Sequence, residues 1–472
     1  MARAKKYEID MTQGALLPKV LVFSLPLIAS GILQLLFNAA DMVVVGRWAG
    51  KECLAAVGST GSLINLMVNV FIGLSVGGSV AVAKSFGAND PSAVHKAVHT
   101  AMSLAIIAGV AVGLIGFLFC RPLLQMMDNP VLDLATTYMK IYFLGMPFNM
   151  VYNFGASILR AVGDTKRPLI YLSIAGVVNV VLNLILVIGF HMDVAGVAIA
   201  TVASQAVSAV LVTLCLMRSH GVVHLDVKDL RIHKRQLIEI AKVGLPAGLQ
   251  GSLFSISNVL IQSSINSFGE VVVAANSAAG NLEGFVYTAM NAIHQAALTF
   301  ASQNLGAGKI SRVRRSMWVC LATVAVIGLV LGNAMYLLGQ PLLSLYLDNP
   351  TAVDPATGIT VLEYGMKRML YLVPLYCLCG LMDVMVGTLR GVGYSIMPMI
   401  VSLTGACLFR VVWILTVFAA HRTLDVLYIS YPISWGLTFV THLACYLFFA
   451  RKKLRKLEER IASIDRSRRL FA

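Results

Sequence analysis

Asp41 stands near the end of an apolar stretch, residues 16–45, that otherwise reads as a membrane-crossing helix. A carboxylate at membrane depth costs roughly 2.5–3.5 kcal/mol on insertion scales, and such groups usually face a bundle interior or a watery cavity. Gln34, Asn38 and Asp41 are spaced by four and three residues, so they share one side of the helix. Two readings fit this face: a polar seam that glues helices together, or an ion or substrate site. Taking a carboxyl out of water penalises its charged form, and an acid so tuned can load and release a proton. The second half holds a comparable row on span 8: Glu283, Tyr287, Asn291 and His294, spaced by four, four and three. Asp383 lies on span 10, and Arg410 is read as the one cation left inside a span. A Glu283–Arg410 or Asp383–Arg410 pair that merely neutralises charge is as well founded as a functional role for either acid.

Neutral amides recur at helical spacing: Asn65 and Asn69 on span 2, Asn149 and Asn153 on span 4, Asn179 and Asn183 on span 5. They could line a cavity or bridge helices, a bridge being worth about 0.6 kcal/mol. Pro26, on the span that carries Asp41, lacks a backbone N–H and can bend that helix. Gly73 and Gly77 form a small-xxx-small pair suited to close helix packing. Arg160 and Arg390 end spans 4 and 10, where a cation suits the carboxyl end of a helix.

These residues need a membrane to position them. Hydrophobic residues are 58% of the chain and charged residues 12%, where a soluble domain carries about 25% charged. The mean hydropathy is +0.80. We read an all-α membrane protein with twelve transmembrane helices, each with the ~20 residues a span needs. No cleavable signal peptide is expected, because the apolar run that follows the basic amino terminus is too long. The net charge of +15 does not point to nucleic acid. Most Lys and Arg fall in the amino terminus, the even-numbered loops and the tail, which predicts both termini in the cytoplasm. The eight cysteines sit almost wholly in apolar runs and read as small buried hydrophobes.

The chain repeats itself. Leu25-Pro26 recurs as Leu245-Pro246, Gly87-Ala88 as Gly306-Ala307, and Pro122-Leu123-Leu124 with Asp128-Asn129-Pro130 as Pro341-Leu342-Leu343 with Asp348-Asn349-Pro350. Leu159-Arg160-Ala161-Val162-Gly163 recurs as Leu389-Arg390-Gly391-Val392-Gly393. This gives two pseudo-symmetric six-helix bundles: a first lobe at 1–217 (spans 1–6), a cytoplasmic connector at 218–242, a second lobe at 243–450 (spans 7–12) and a basic cytoplasmic tail at 451–472. Six spans return the chain to its starting side, so the halves are parallel and related by an axis along the membrane normal. Two such lobes suit alternating access around a cleft. No phosphate-binding Gly-x-x-x-x-Gly-Lys-[Ser/Thr], His-Glu-x-x-His or Cys-x-x-Cys is present. The chain therefore reads as a gradient-driven transporter, not an enzyme.

Twelve spans in parallel halves, Asp41 in span 1, Pro26 before it and the twin Leu-Arg-x-Val-Gly signatures resemble the multidrug and toxic compound extrusion (MATE) family over essentially the whole chain, most closely its bacterial branches. The resemblance implies a secondary antiporter of the bacterial plasma membrane. It implies export of bulky, amphipathic, often cationic drugs and toxins in exchange for protons or sodium, with Asp41 as the coupling residue and Pro26 as a hinge in span 1. Asn183 stands where archaeal members carry an acid. Where NorM-like members carry one in span 7, this chain has Ser255, Ser257 and Asn258; their span 10 acid falls at Cys379, one turn before Asp383. Protons are therefore the expected coupling ion and sodium the alternative. No cofactor is expected, and the partners are small organic substrates and the bilayer. A monomer is expected, since the cleft lies within one chain. The competing reading is a lipid-linked glycan flippase of the same superfamily, which would need more cations in its cavity to hold a diphosphate.

Overall fold

The computed structural model describes residues 7–127, 129–219, 221–347 and 349–470. Asp128 and Asp348 of the repeated Asp-Asn-Pro motif lie outside the described residues, as do the ends of the chain at 1–6 and 471–472. The first half contains α1 (Leu16–Val44), α2 (Lys51–Gly87), α3 (Pro91–Met126), α4 (Leu132–Leu144), α5 (Met146–Ala161), α6 (Lys166–Asn183) and α7 (Asp193–Met217). The second contains α8 (Lys234–Asn266), α9 (Glu270–Gly306), α10 (Ile310–Leu337), α11 (Gly339–Tyr346), α12 (Val361–Leu372), α13 (Tyr376–Gly391), α14 (Ile396–Ser402), α15 (Phe409–Trp413), α16 (Leu424–Cys445) and α17 (Arg451–Leu470). Among the described residues the only β-type pairing is one bridge between Val353 and Thr360.

The expected spans map onto these helices. Among the described residues, eight stretches are long and apolar enough to cross a membrane on those grounds alone, and α12 with α13 makes a ninth, bent by 46°. The remaining spans are α8, α9 and the α4–α5 pair. Of these, α9 carries Asn276, Glu283, Asn291, His294, Gln303 and Asn304, which lowers its hydropathy but not its burial. The duplication is also written in the backbone. Gly50 and Gly269, which precede α2 and α9, have φ of +93° and +95°; Gly163 and Gly393, in the twin signatures, both have +90°. Only glycine adopts such angles without strain.

Internal contacts divide the chain into two compact units. One is Met1–Met11 with Ala29–Ser252; the other is Thr12–Ile28 with Leu253–Ala472. The boundary therefore falls inside α1 shortly after Pro26 and inside α8 shortly after Pro246, not in the connector. The connector belongs to the first unit. The Asp226 amide lies 3.1 Å from His99 Nε2, and the His233 amide donates to Thr100 Oγ1 at 3.1 Å. The first half of α8 is bound there as well. A Cβ added at Gly73 would stand 2.2 Å from the Gly248 nitrogen, and one at Gly77 would stand 2.1 Å from the Ile240 carbonyl oxygen. The two glycines let the backbones of α2 and α8 touch. The letters from Gly73 to Gly77 also match Gly-x-Ser-x-Gly, the pattern of a strand-to-helix nucleophile elbow. Here they lie in mid-helix, with Ser75 buried and its hydroxyl donating to the Ile72 carbonyl at 2.7 Å.

In the second unit α9 packs chiefly on α13 and α10, and α13 also packs on α16. Small residues again set the spacing: a Cβ at Gly387 would meet the His294 carbonyl oxygen at 2.7 Å, and one at Gly391 the Leu298 carbonyl oxygen at 2.6 Å.

Candidate coupling site and second-unit polar cluster

Asp41 occupies the last turn of α1, and Asn183 is the last residue of α6. Both helices then widen into π-helical stretches, Val45–Ala49 and Leu184–Gly189. Such widenings concentrate at functional sites, and these end the α-helical repeat beside the polar pair. The Asn183 Nδ2 donates to Asp41 Oδ1 at 2.5 Å. Asn179, one turn earlier on α6, has its Oδ1 3.5 Å from the same nitrogen. Asn183 is fully buried, and its own Oδ1 has no hydrogen-bond partner. Tyr138 of α4 lies within electrostatic reach of Asp41 and stacks on Tyr142, ring centroids 6.0 Å apart. No ion pair among the described residues involves Asp41. The arrangement is a partly buried carboxylate, steadied by one neutral donor, with no permanent counter-charge beside it. It can take a proton or a cation.

The other first-half candidates are dispersed. Gln34 and Asn38 are exposed on α1, Asn65 is exposed on α2, and Asn69 is half-buried. Asn153 folds its amide back on Asn149, donating to that residue's backbone and side-chain oxygens at 2.9 Å. Tyr138 escaped the sequence reading because nothing in its own stretch marks it; only the fold brings α4 to Asp41.

In the second unit two expectations are corrected. Glu283 does not pair with Arg410, and neither does Asp383. Glu283 instead meets Arg368 of α12: Nε donates to Oε1 at 2.7 Å and Nη2 to Oε2 at 2.9 Å. The third edge of the same guanidinium donates to Asn276 Oδ1 at 2.8 Å, and the Tyr428 hydroxyl donates to that oxygen at 3.0 Å. Both charges are buried. Arg410 is therefore not the one interior cation, since Arg368 and Arg390 are buried too. Arg368 escaped notice because it follows Glu363 and Lys367 in a stretch that looks like a loop. The available signal was Thr360-x-x-Glu363, which forms a capping box and starts α12.

The row on α9 also splits. Glu283 and His294 are buried, whereas Tyr287 is 44% exposed and Asn291 is exposed. At 3.6 residues per turn, Tyr287 and Asn291 are rotated from Glu283 by about 40° and 80°, while His294 returns to within about 20°. His294 Nδ1 lies 2.6 Å from the Asp383 carbonyl oxygen, and the Asp383 carboxylate lies within electrostatic reach of Arg390. Arg410 is 4% exposed, with Nε donating to Ser434 Oγ at 2.8 Å and its guanidinium 4.3 Å from the Tyr431 ring centroid.

The MatE family profile matches residues 26–185 and 246–416, one stretch in each half of the repeat. The chain belongs to the MATE family. It is a multi-span transporter of the bacterial plasma membrane, and MATE proteins move substrates rather than transform them. Among its relatives, the probable multidrug resistance protein YoeA of Bacillus subtilis (strain 168) is 26% identical over 443 residues, covering 92% of this chain and 94% of that one. The multidrug export protein MepA of Staphylococcus aureus (strain NCTC 8325 / PS 47) is 23% identical, covering 71% and 75%. A protein named FAD transporter, from Shewanella oneidensis, is 25% identical, covering 69% and 73%. The fold matches an outward-facing multidrug resistance MATE transporter of the MOP superfamily with a TM-score of 0.84 at 21% identity, covering 95% of this chain and 98% of that one. It also matches a MATE structure in the bent conformation, with a TM-score of 0.84 at 20% identity, covering 96% and 98%.

Proposed function

We propose that this MATE protein is a secondary antiporter that exports amphipathic, often cationic organic compounds in exchange for protons, with sodium as the alternative coupling ion. We assign it a monomeric state and cytoplasmic termini. The observation that carries this reading is Asp41, held by Asn183 and lacking a cationic partner. A carboxylate without a fixed counter-charge can hold either a proton or a cationic substrate, and loading one expels the other. Protonation removes the charge that strengthens the Asn183 hydrogen bond, which loosens α1 from α6. Pro26 lies within α1 shortly before the helix passes from one compact unit to the other, which suits a hinge. The two relatives named for multidrug resistance and export support drug-like substrates.

A second reading, the lipid-linked glycan flippase, gains from the additional buried arginines of the second unit. It loses again because Arg368 is already engaged by Glu283. The test is ethidium export in proteoliposomes driven by an imposed pH gradient, with and without sodium, for the wild type and Asp41→Asn. Asp41→Asn should abolish export at unchanged protein level; undiminished export refutes the role. Export that requires sodium moves the coupling ion from proton to sodium. Translocation of a lipid-linked saccharide without any gradient favours the flippase.

A further inference from the structure

Arg410 is the interior cation of the second unit that the coupling mechanism does not use and that no carboxylate neutralises. Of its neighbours in charge, Arg368 is matched by Glu283, and Arg390 lies within electrostatic reach of Asp383. Arg410 makes no ion pair among the described residues. Its Nε is satisfied by Ser434, but its Nη2 is buried with no hydrogen-bond partner. A guanidinium cannot shed its proton, so the charge persists. Burying an unpaired charge is costly, and breaking hydrogen bonds to it adds to that cost. The cation–π contacts with Tyr431 and Trp435, at 4.3 Å and 5.7 Å from the ring centroids, offset only part of it. The side chain sits on α15, five residues set between two π-helical stretches, Leu403–Leu408 and Ile414–Phe418. Its surroundings are aromatic: Tyr376 and Tyr431 lie 5.0 Å and 5.9 Å from the Trp435 ring. Tyr431 is the half-buried member of this group.

We propose that Arg410 and the rings of Tyr431, Trp435 and Tyr376 form a subsite for the oxyanion of a planar aromatic ligand, a phosphate or a carboxylate. The unpartnered Nη2 donates in the plane of the guanidinium, a flat geometry that such oxyanions match. The rings offer faces on which the aromatic body stacks. Tyr431, the half-buried edge of the cluster, lies on the side from which the anion would approach the guanidinium. The subsite extends the transporter reading given above, because it makes aromatic anions and zwitterions, and not only cations, fitting cargo. It does not depend on Asp41 or on the coupling ion.

The test uses the purified full-length protein in detergent, with two probes that share one ring system: flavin mononucleotide, which carries a phosphate, and riboflavin, which does not. The wild type should bind the phosphorylated probe at least tenfold more tightly by fluorescence polarisation; equal affinities overturn the subsite. In Arg410→Gln that elutes as the wild type does on size exclusion, the preference should vanish, and a retained preference overturns it. Should that variant not fold, the second measurement is quenching of intrinsic tryptophan fluorescence by flavin mononucleotide. The protein has four tryptophans, so the readout is the share of the quench that Trp435 carries. Trp435→Phe should lower the fractional quench and weaken the apparent affinity for flavin mononucleotide, and a fractional quench and affinity both unchanged overturn the placement. Failure of pH-driven ethidium export by the wild type sinks the antiporter reading while leaving these binding results intact. Absence of the phosphate preference leaves ethidium export untouched.

Discussion

Glu283 and Arg368 offer a sharp test, because an interior acid in a transporter invites a coupling role that the structure argues against. Both side chains are buried, joined by two parallel hydrogen bonds of 2.7 and 2.9 Å, and tied to Asn276 by a third of 2.8 Å. Removing one partner of a buried pair leaves a lone interior charge and costs about 3–5 kcal/mol; replacing both with apolar groups is often neutral. For a unit of this size each kcal/mol moves the midpoint of thermal unfolding by about 2–4 °C. Glu283→Leu and Arg368→Leu should therefore each lower the melting midpoint of the detergent-solubilised protein by roughly 6–20 °C. The double variant should recover most of that loss. Ethidium export should follow the same pattern, failing in the single variants as they unfold and returning in the double. Additive losses of stability would falsify the pairing. A double variant that melts like the wild type but exports nothing would instead return Glu283 to the mechanism.

Three further outcomes are expected. Asn183→Ala removes the donor to Asp41, a charge-assisted bond worth about 1.5–3 kcal/mol, so pH-driven export should fall at least tenfold while the protein level stays normal. Gly73→Ala and Gly77→Ala would push α8 away from α2 by forcing a methyl into backbone 2.2 and 2.1 Å away. Overpacking of that kind costs about 1–3 kcal/mol, and trypsin should cut the 218–242 connector faster in both variants than in the wild type. Outside the spans, Asp354 accepts from the Ala356 amide at 3.0 Å, the Thr357 hydroxyl at 3.0 Å and the Tyr364 hydroxyl at 3.1 Å. These bonds, the Ala356 amide first, hold its carboxyl below the usual range. A depressed acid stabilises above its ordinary value and loses that effect as pH falls through its lower folded value. Amide hydrogen exchange across 352–360, corrected for the intrinsic rate at each pH, should therefore quicken as pH drops from about 4 to about 2 in the wild type, and Asp354→Asn should flatten that response.

How far the sequence could be read depended on whether a signal was local. Asp41 announced itself as a charge inside an apolar run, and the helices announced themselves by length. The duplication was legible in paired landmarks such as Leu25-Pro26 and Leu245-Pro246, and its twin glycines adopt matching backbone angles. Asn183 was legible as a polar residue, but its donation to a residue on another helix was not, because that contact spans 142 positions. The Glu283–Arg368 pair bridges 85 positions and was obscured further by the charged neighbours of Arg368. The small-residue reading of Gly73 and Gly77 held because backbone proximity depends on what a residue lacks. The row at Glu283, Tyr287, Asn291 and His294 failed as a single face because repeated steps of four overrun the helical repeat.

The switch points inside α1 and α8 carry a consequence for how such a chain could have arisen. Each compact unit takes a half-helix from the opposite half of the repeat. Two copies of a six-helix ancestor that traded those arms would have produced the same connectivity as partners in a swapped dimer. Fusing their genes would have made the exchange permanent. Neither half, expressed alone, would then own a complete interior, so co-expressed fragments 1–225 and 226–472 should rescue one another where each singly is degraded.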